Sequence, residues 1–211
     1  MFSVQSANQV ESVIADMAQW YAAFGLDVSI DGHLDADAVA ALDAALADGF
    51  TDAVVMPDAA WVDAHLAELI AALAHADEWG EPYVGVDGAE SLRRPDGPYL
   101  LLLHSDASSD ADLAGLTLSA LRKALGDETT LTAGEYLVVQ RAMFGHHGDH
   151  RFDDYQASPS GWMWLADTAV DDRTAMAYWY DPKARVELSA CKQGSKNARK
   201  GARRSRIVAL A

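Results

Sequence analysis

The sequence predicts an α+β fold: a helical N-terminal half packed with a mainly antiparallel, aromatic-rich sheet. Two patterns carry this expectation. Apolar residues recur at three- and four-residue spacing through the first 75 positions, and they alternate in aromatic-rich runs after residue 160. Helices and strands are therefore segregated along the chain, which separates α+β from an alternating α/β arrangement. With 211 residues, half of them hydrophobic, there is enough apolar surface for one complete core.

Taken in order, Val10, Val13, Ile14, Met17, Trp20, Tyr21 and Phe24 line one helical face, and Gly25 follows as a stop. Asp35 stands where an N-cap belongs, ahead of Val39, Leu42 and Leu46, with Gly49 closing that helix. Residues 54–56 read as a short strand ended by Pro57. A third helix carries Trp61, Val62, His65, Leu66, Leu69, Ile70 and Leu73 on one face. The stretch from Gly80 to Pro98 is turn-rich and reads as a surface connection.

Residues 99–104 form a continuous apolar run, the mark of a buried strand. Helices are expected around 112–125 and from Thr132, where Thr132 and Glu135 make a capping box. Residues 162–166, 174–180 and 185–191 then read as antiparallel strands. With Asp171-Asp172 as the hairpin turn, Trp162, Trp164 and Trp179 share one face, and Met163, Leu165, Tyr178 and Tyr180 share the other. The expected organisation is a single α+β domain over 1–191, helix-rich over 1–97 and mixed over 98–191, followed by a basic C-terminal segment over 192–211.

Charge divides the chain more sharply than any motif. Residues 1–182 carry 31 acidic and 7 basic side chains, while residues 183–211 carry 9 basic and 1 acidic. No Lys or Arg precedes Arg93, although 17 Asp and Glu do. Nucleic acid lying along such a body would meet like charge, whereas a basic protein would be attracted. Lys192, Lys196, Arg199, Lys200, Arg203, Arg204 and Arg206 are spaced by three and four. Wound as a helix they fall within about 160° of one another, a candidate surface for polyanions such as nucleic acid. Gly194 and Gly201 oppose that helix, so a second reading makes them turns, with residues 205–210 as a last strand. A third leaves the segment as a mobile solvated tail, and a fourth folds it back onto the acidic body.

Two stretches resemble ion-binding sites. His146, His147, Asp149 and His150 are borderline ligands suited to zinc or another transition metal. They match neither H-x-H-x-D-H nor H-E-x-x-H, and Gly145 and Gly148 oppose a helix that would align His146 with His150. If they held a metal, the chemistry would be metal-assisted hydrolysis, with Asp153 or Asp154 as base. Residues 27–35 fill several positions of a calcium loop, but Ala38 stands where the bidentate Glu belongs. A strand, a turn at Gly32 and a cap at Asp35 account for them without an ion. No resident cofactor is otherwise indicated.

Several short lines, Ala53-Val54-Val55-Met56-Pro57, Pro98-Tyr99-Leu100-Leu101-Leu102, Leu131-Thr132-Ala133-Gly134-Glu135, Gly161-Trp162-Met163-Trp164 and Leu188-Ser189-Ala190-Cys191, together resemble a bacterial, chiefly actinobacterial, family that is a domain of unknown function. The resemblance spans roughly residues 10–191 and implies a single α+β unit without implying an activity. The His-rich stretch and the basic end depart from it. Cys191 as the one cysteine fits a reducing cytoplasm, and residues 2–9 lack the charged and apolar regions of a signal peptide. The longest strongly apolar run, 99–103, is far too short to cross a membrane. These features point to a non-enzymatic cytoplasmic interaction protein whose acidic body binds a basic partner, away from membranes, with the basic end modulating that contact by competing for the same surface.

Overall fold

A computed structural model describes residues 2–92, 94–104, 110–126, 128–150, 153, 161–195 and 197–211. The fold is α+β, with two sheets in place of the single expected one. The first is four-stranded and wholly antiparallel. Its strands are β1 (Phe2–Ser3), β2 (Phe50–Met56), β5 (Tyr99–His104) and β10 (Ser205–Ala209), in that order across the sheet. The second runs β3 (Tyr83–Val84), β8 (Arg185–Lys192), β7 (Arg173–Tyr180), β6 (Trp162–Val170), β4 (Glu90–Ser91), and β9 (Lys200–Gly201) also pairs with β6. The β3–β8 and β6–β9 pairs are parallel and the others antiparallel.

Among the described residues, six α-helices pack on these sheets: α1 (Val10–Ala23), α2 (Ala36–Ala47), α3 (Ala59–Ala64), α4 (Leu66–Leu73), α5 (Leu118–Leu125) and α6 (Ala133–His147). Asp35 caps α2 by accepting from Ala38 N at 2.8 Å. The expected third helix divides at His65, whose Nδ1 lies 2.8 Å from the Trp61 carbonyl while its ring stacks on Trp61. α5 starts later than expected because Gly115 takes φ +71°, and a new N-cap forms at Thr117. None of these helices is long and apolar enough to cross a membrane, among the described residues.

α6 is the hub. It touches β2 of the first sheet, β6 and β7 of the second, and α4. Its residues from Ala133 to Gln140 are all buried, as a helix enclosed on every side requires. Its N-terminus has the expected capping box: Thr132 Oγ1 accepts from Glu135 N, and a Glu135 carboxylate oxygen accepts from Thr132 N at 2.7 Å. Gly134 permits the close approach of α3, since a Cβ there would lie 2.1 Å from Val62 Cγ1.

Two expectations are corrected. The hairpin turn is at Asp171-Asp172, but the register of β6 on β7 shifts between Leu165 and Ala169. Trp164 pairs with Met176 and Met163 with Ala177. The shift is odd, so it reverses the sides. Trp162 and Trp164 pack with Leu113, Leu121 and Met176 beneath α5, whereas Trp179 joins Met163 and Leu165 in the main core. The second correction concerns the helical reading of the basic end. The strand reading holds instead: Gly194 lies in a turn and Ser205–Ala209 completes the first sheet, although Gly201 pairs with β6 in Lys200–Gly201 and marks no turn.

The connection before β5 holds the most buried ion pair among the described residues. The Arg94 side chain is 2% exposed and that of Glu135 is fully buried. Arg94 Nε donates to Glu135 Oε1 at 2.5 Å and NH2 to Oε2 at 2.6 Å. Arg94 NH1 reaches Asp167, which the register shift in β6 brings forward, at 3.3 Å. Tyr99 of β5 donates its hydroxyl to Glu135 at 2.7 Å, and burial first, then the Glu135 charge, push the Tyr99 hydroxyl far above its ordinary pKa.

Removing one partner from a buried ion pair costs about 3–5 kcal/mol, because the other charge is stranded. Arg94→Met is expected to lose that much in urea unfolding, with Arg94→Met/Glu135→Gln losing less than the sum of the single changes. At Gly134, alanine improves helix propensity by about 1 kcal/mol, but overpacking costs about 1–3 kcal/mol. Since Val62 leaves no room, Gly134→Ala should be net destabilising in the same measurement.

Candidate interaction surface

The structure divides the seven residues of the basic end rather than gathering them on one face. Lys192 and Arg199 are exposed, and Lys196 lies outside the described residues. Lys200 is 2% exposed. Its ammonium donates to Ser195 Oγ at 2.5 Å and Cys191 Sγ at 2.9 Å, and it sits 4.6 Å from the centre of the Trp164 ring. Arg203, 3% exposed, reaches the His104 carbonyl.

Arg204 and Arg206 meet the acidic body. Arg204 grips Asp112 with both terminal nitrogens, at 2.8 and 2.6 Å. Its Nε lies 2.7 Å from Glu128, and its backbone N–H donates to Asp110 at 2.6 Å. Arg206 pairs with Asp48 at 2.7 Å and lies over the Phe50 ring. The hydrogen bond from Arg204 holds the Asp112 carboxyl below its usual range, burial opposing slightly.

The carboxylates of the N-terminal half are disposed differently. Of the 17 Asp and Glu before residue 93, 14 are exposed, and no Lys or Arg lies in that part of the chain to neutralise them locally. On α2 the exposed positions are Asp37 and Asp43 with Ala36, Ala40, Ala41, Ala44 and Ala47 around them. Such a surface is low and flat, and the aliphatic stem of a long basic side chain lies well over alanine with its charge at an Asp. Between α1 and α2 runs a cavity of about 350 Å³, with Val10, Ile14, Leu34 and Val39 on its apolar walls and Glu11 and His33 as polar lining.

The His-rich stretch is arranged otherwise than its spacing implied. α6 continues through Gly145 to His147 and ends at Gly148, which takes φ +72°. His146 and His147 are exposed on the last turn, where a helix C-terminus favours positive charge. His150 instead turns inward and stacks on Trp179 with ring centres 3.4 Å apart. Its Nδ1 lies 3.1 Å from Gln140 Nε2 and 3.8 Å from Asp153. Asp153 in turn accepts from the Tyr136 hydroxyl, which burial first and Asp153 second hold well above its ordinary pKa. Asp154 lies outside the described residues. Among the described residues, no three His, Cys, Asp or Glu side chains converge as a metal chelate. Residues 27–35 form an irregular connection in which His33 exchanges backbone hydrogen bonds with Ala211 and Asp35 caps α2.

Arg94 and the carboxylates that receive Arg204 were not singled out by the sequence. A signal for the first existed: Arg93 and Arg94 are the first cations of the chain, and the capping-box carboxylate of Glu135 has a second oxygen to offer. Comparison of the chain with protein-family models, curated proteins and solved structures found no match.

Because the folded-state pKa of Asp112 is depressed, its pairing stabilises the fold above the ordinary carboxylate range and is lost as pH falls through the folded value. Asp112→Asn should therefore be less stable than wild type at pH 7. The two urea midpoints should converge as pH drops below about 4.

Proposed function

We propose that the protein is a non-enzymatic docking module whose acidic N-terminal face binds a basic protein. The observation that carries this reading is the unequal fate of the two charge signs. Arg204 and Arg206 are held by Asp110, Asp112, Glu128 and Asp48 of the same chain. Most carboxylates of residues 2–92 point to solvent with no cation nearby in sequence. Apart from Asp48 at the C-terminal end of α2, the carboxylates that hold Arg204 and Arg206 lie outside α1 and α2. A partner's lysines and arginines meet the remaining carboxylates of these helices uncontested.

The physics favours fast, salt-sensitive capture. Exposed carboxylates of one sign raise the encounter rate with cations, and screening over about 8–10 Å weakens the attraction as salt rises. The cavity between α1 and α2 adds a recess of mixed polar and apolar lining for a side chain of the partner. Individual exposed pairs are worth about 0.2–1 kcal/mol, so affinity here must come from several acting together.

A lysine-rich unstructured peptide, titrated at low and high salt, tests the reading. The variant Glu11→Gln/Asp37→Asn/Asp43→Asn should bind about tenfold more weakly, as expected from losing about 1.4 kcal/mol over three pairs. The equally charged control Glu78→Gln/Asp87→Asn/Glu90→Asn, on exposed positions elsewhere, should bind nearly as wild type. Equal weakening of both would reduce the effect to net charge. Absence of salt-sensitive binding would remove the reading altogether.

A further inference from the structure

β10 is the last strand of the first sheet, and among the described residues its outer edge is closed only at its two ends. Ser205 exchanges both backbone hydrogen bonds with Thr129, at 2.9 and 3.3 Å. Six residues on, Ala211 exchanges both with His33, at 2.9 and 3.1 Å. On the inner side, Arg206 and Val208 pair with Leu102 and Leu100 of β5, and Leu210 N donates to the Pro98 carbonyl. Backbone groups in an antiparallel strand alternate sides residue by residue. Residues 205, 207, 209 and 211 therefore face outward. The outward N–H and C=O of Ile207 and Ala209 have no hydrogen-bonding partner among the described residues.

The space beside them is open. Two cavities follow this edge end to end. One, of about 430 Å³, is lined by Ser205 to Val208 with Ala41, Pro95, Glu128 and Thr129. The other, of about 330 Å³, is lined by Ile207 to Ala211 with Asp35, Asp37, Ala38 and Ala41. Consecutive strand residues lining one cavity is the signature of a cavity at a sheet edge, because one face alone would contribute every second residue.

We propose that this gap is a strand-addition site that takes a short, extended, basic segment of the partner protein. Between the Thr129 and His33 closures there is room for about three residues in extended conformation. The main chain of such a segment would bond Ile207 and Ala209, completing the ladder. Charge selects the occupant. Asp35 and Asp37 line the second cavity, Glu128 the first, and the guanidinium of Arg206 is already held by Asp48 and Glu128. A second copy of this chain, at net charge −16, would bring like charge to the same edge. The assignment rests on the acidic docking reading and specifies where on the molecule the partner's backbone is held.

The test uses the full chain and an acetylated, amidated Lys-Val-Lys-Val-Lys peptide, with amide hydrogen exchange read residue by residue. Without peptide, Ile207 and Ala209 should exchange much faster than Arg206 and Val208. Peptide should slow the first two at least tenfold. Ala209→Pro removes one outward N–H and no bond to β5, a change that edge positions tolerate. It should weaken peptide binding about tenfold while leaving Arg206 and Val208 protected. Should that variant fail to fold, the wild-type exchange pattern alone decides. Salt-sensitive binding without protection of Ile207 and Ala209 would overturn the edge site and leave the acidic reading standing; no binding at low salt would end both. A dimer that Ala209→Pro abolishes would assign the edge to a second copy and overturn the proposal.

Discussion

An arginine taken out of water needs a carboxylate facing it, and Arg94 has two. Glu135 meets it with both oxygens and also accepts from Thr132 N and the Tyr99 hydroxyl, so the same carboxylate ends a helix, neutralises a buried cation and reaches β5. Asp167 adds a contact from β6. The desolvation of such charges costs several kcal/mol each and is offset only when every lone pair and proton finds a partner. Here the partners come from the connection before β5, from α6 and from both sheets. The network therefore fixes how the two sheets sit about α6, and everything that depends on their placement follows from it, including the strand that closes the first sheet.

That closing strand explains what becomes of the charge asymmetry. A segment carrying most of the chain's late cations inserts where β5 would otherwise be a bare edge. Its inward neighbours in the sheet are apolar, while Arg204 and Arg206 extend to Asp112, Glu128 and Asp48. Opposite signs far apart in sequence thus become a long-range clasp. Lys200 follows a different rule: its ammonium is held by a hydroxyl, a thiol sulfur and an aromatic face, with no carboxylate within ion-pair distance among the described residues. Of the N-terminal helices, α2 meets the clasp at its C-terminal end through Asp48, while Glu11, Asp16, Asp37 and Asp43 are exposed.

The fold class, the capping box at Thr132, the cap at Asp35 and the turn at Asp171-Asp172 were legible in the sequence because each is a local signal with a local cause. The orientation of Trp179 was not. A side assignment for a hairpin assumes an unbroken register, and the irregularity between Leu165 and Ala169 is stabilised by tertiary partners: Asp167 by Thr130 N and Arg94, Thr168 by Ala133 N. The basic end was ambiguous for a related reason. Its cationic spacing fits a helix, its two glycines and Ile207-Val208 fit strands, and only the vacant side of β5 decides between them. His146 to His150 look like one cluster in sequence, yet the left-handed turn at Gly148 sends His150 inward to Trp179 and leaves His146 and His147 in solvent. The open stretch of β10 had no local signal, since it exists only between the closures supplied by Thr129 and His33.

Folding buries Lys200 and Arg203, ties Arg204 and Arg206 to carboxylates of the same chain, and leaves most N-terminal carboxylates exposed. Parallel titrations of the intact protein at low salt with a short DNA duplex and with an oligolysine of matched charge test the acidic docking reading most directly. Oligolysine should associate, with the binding lost on adding salt, and DNA should not. Salt-sensitive binding of the duplex with indifference to oligolysine would contradict that reading.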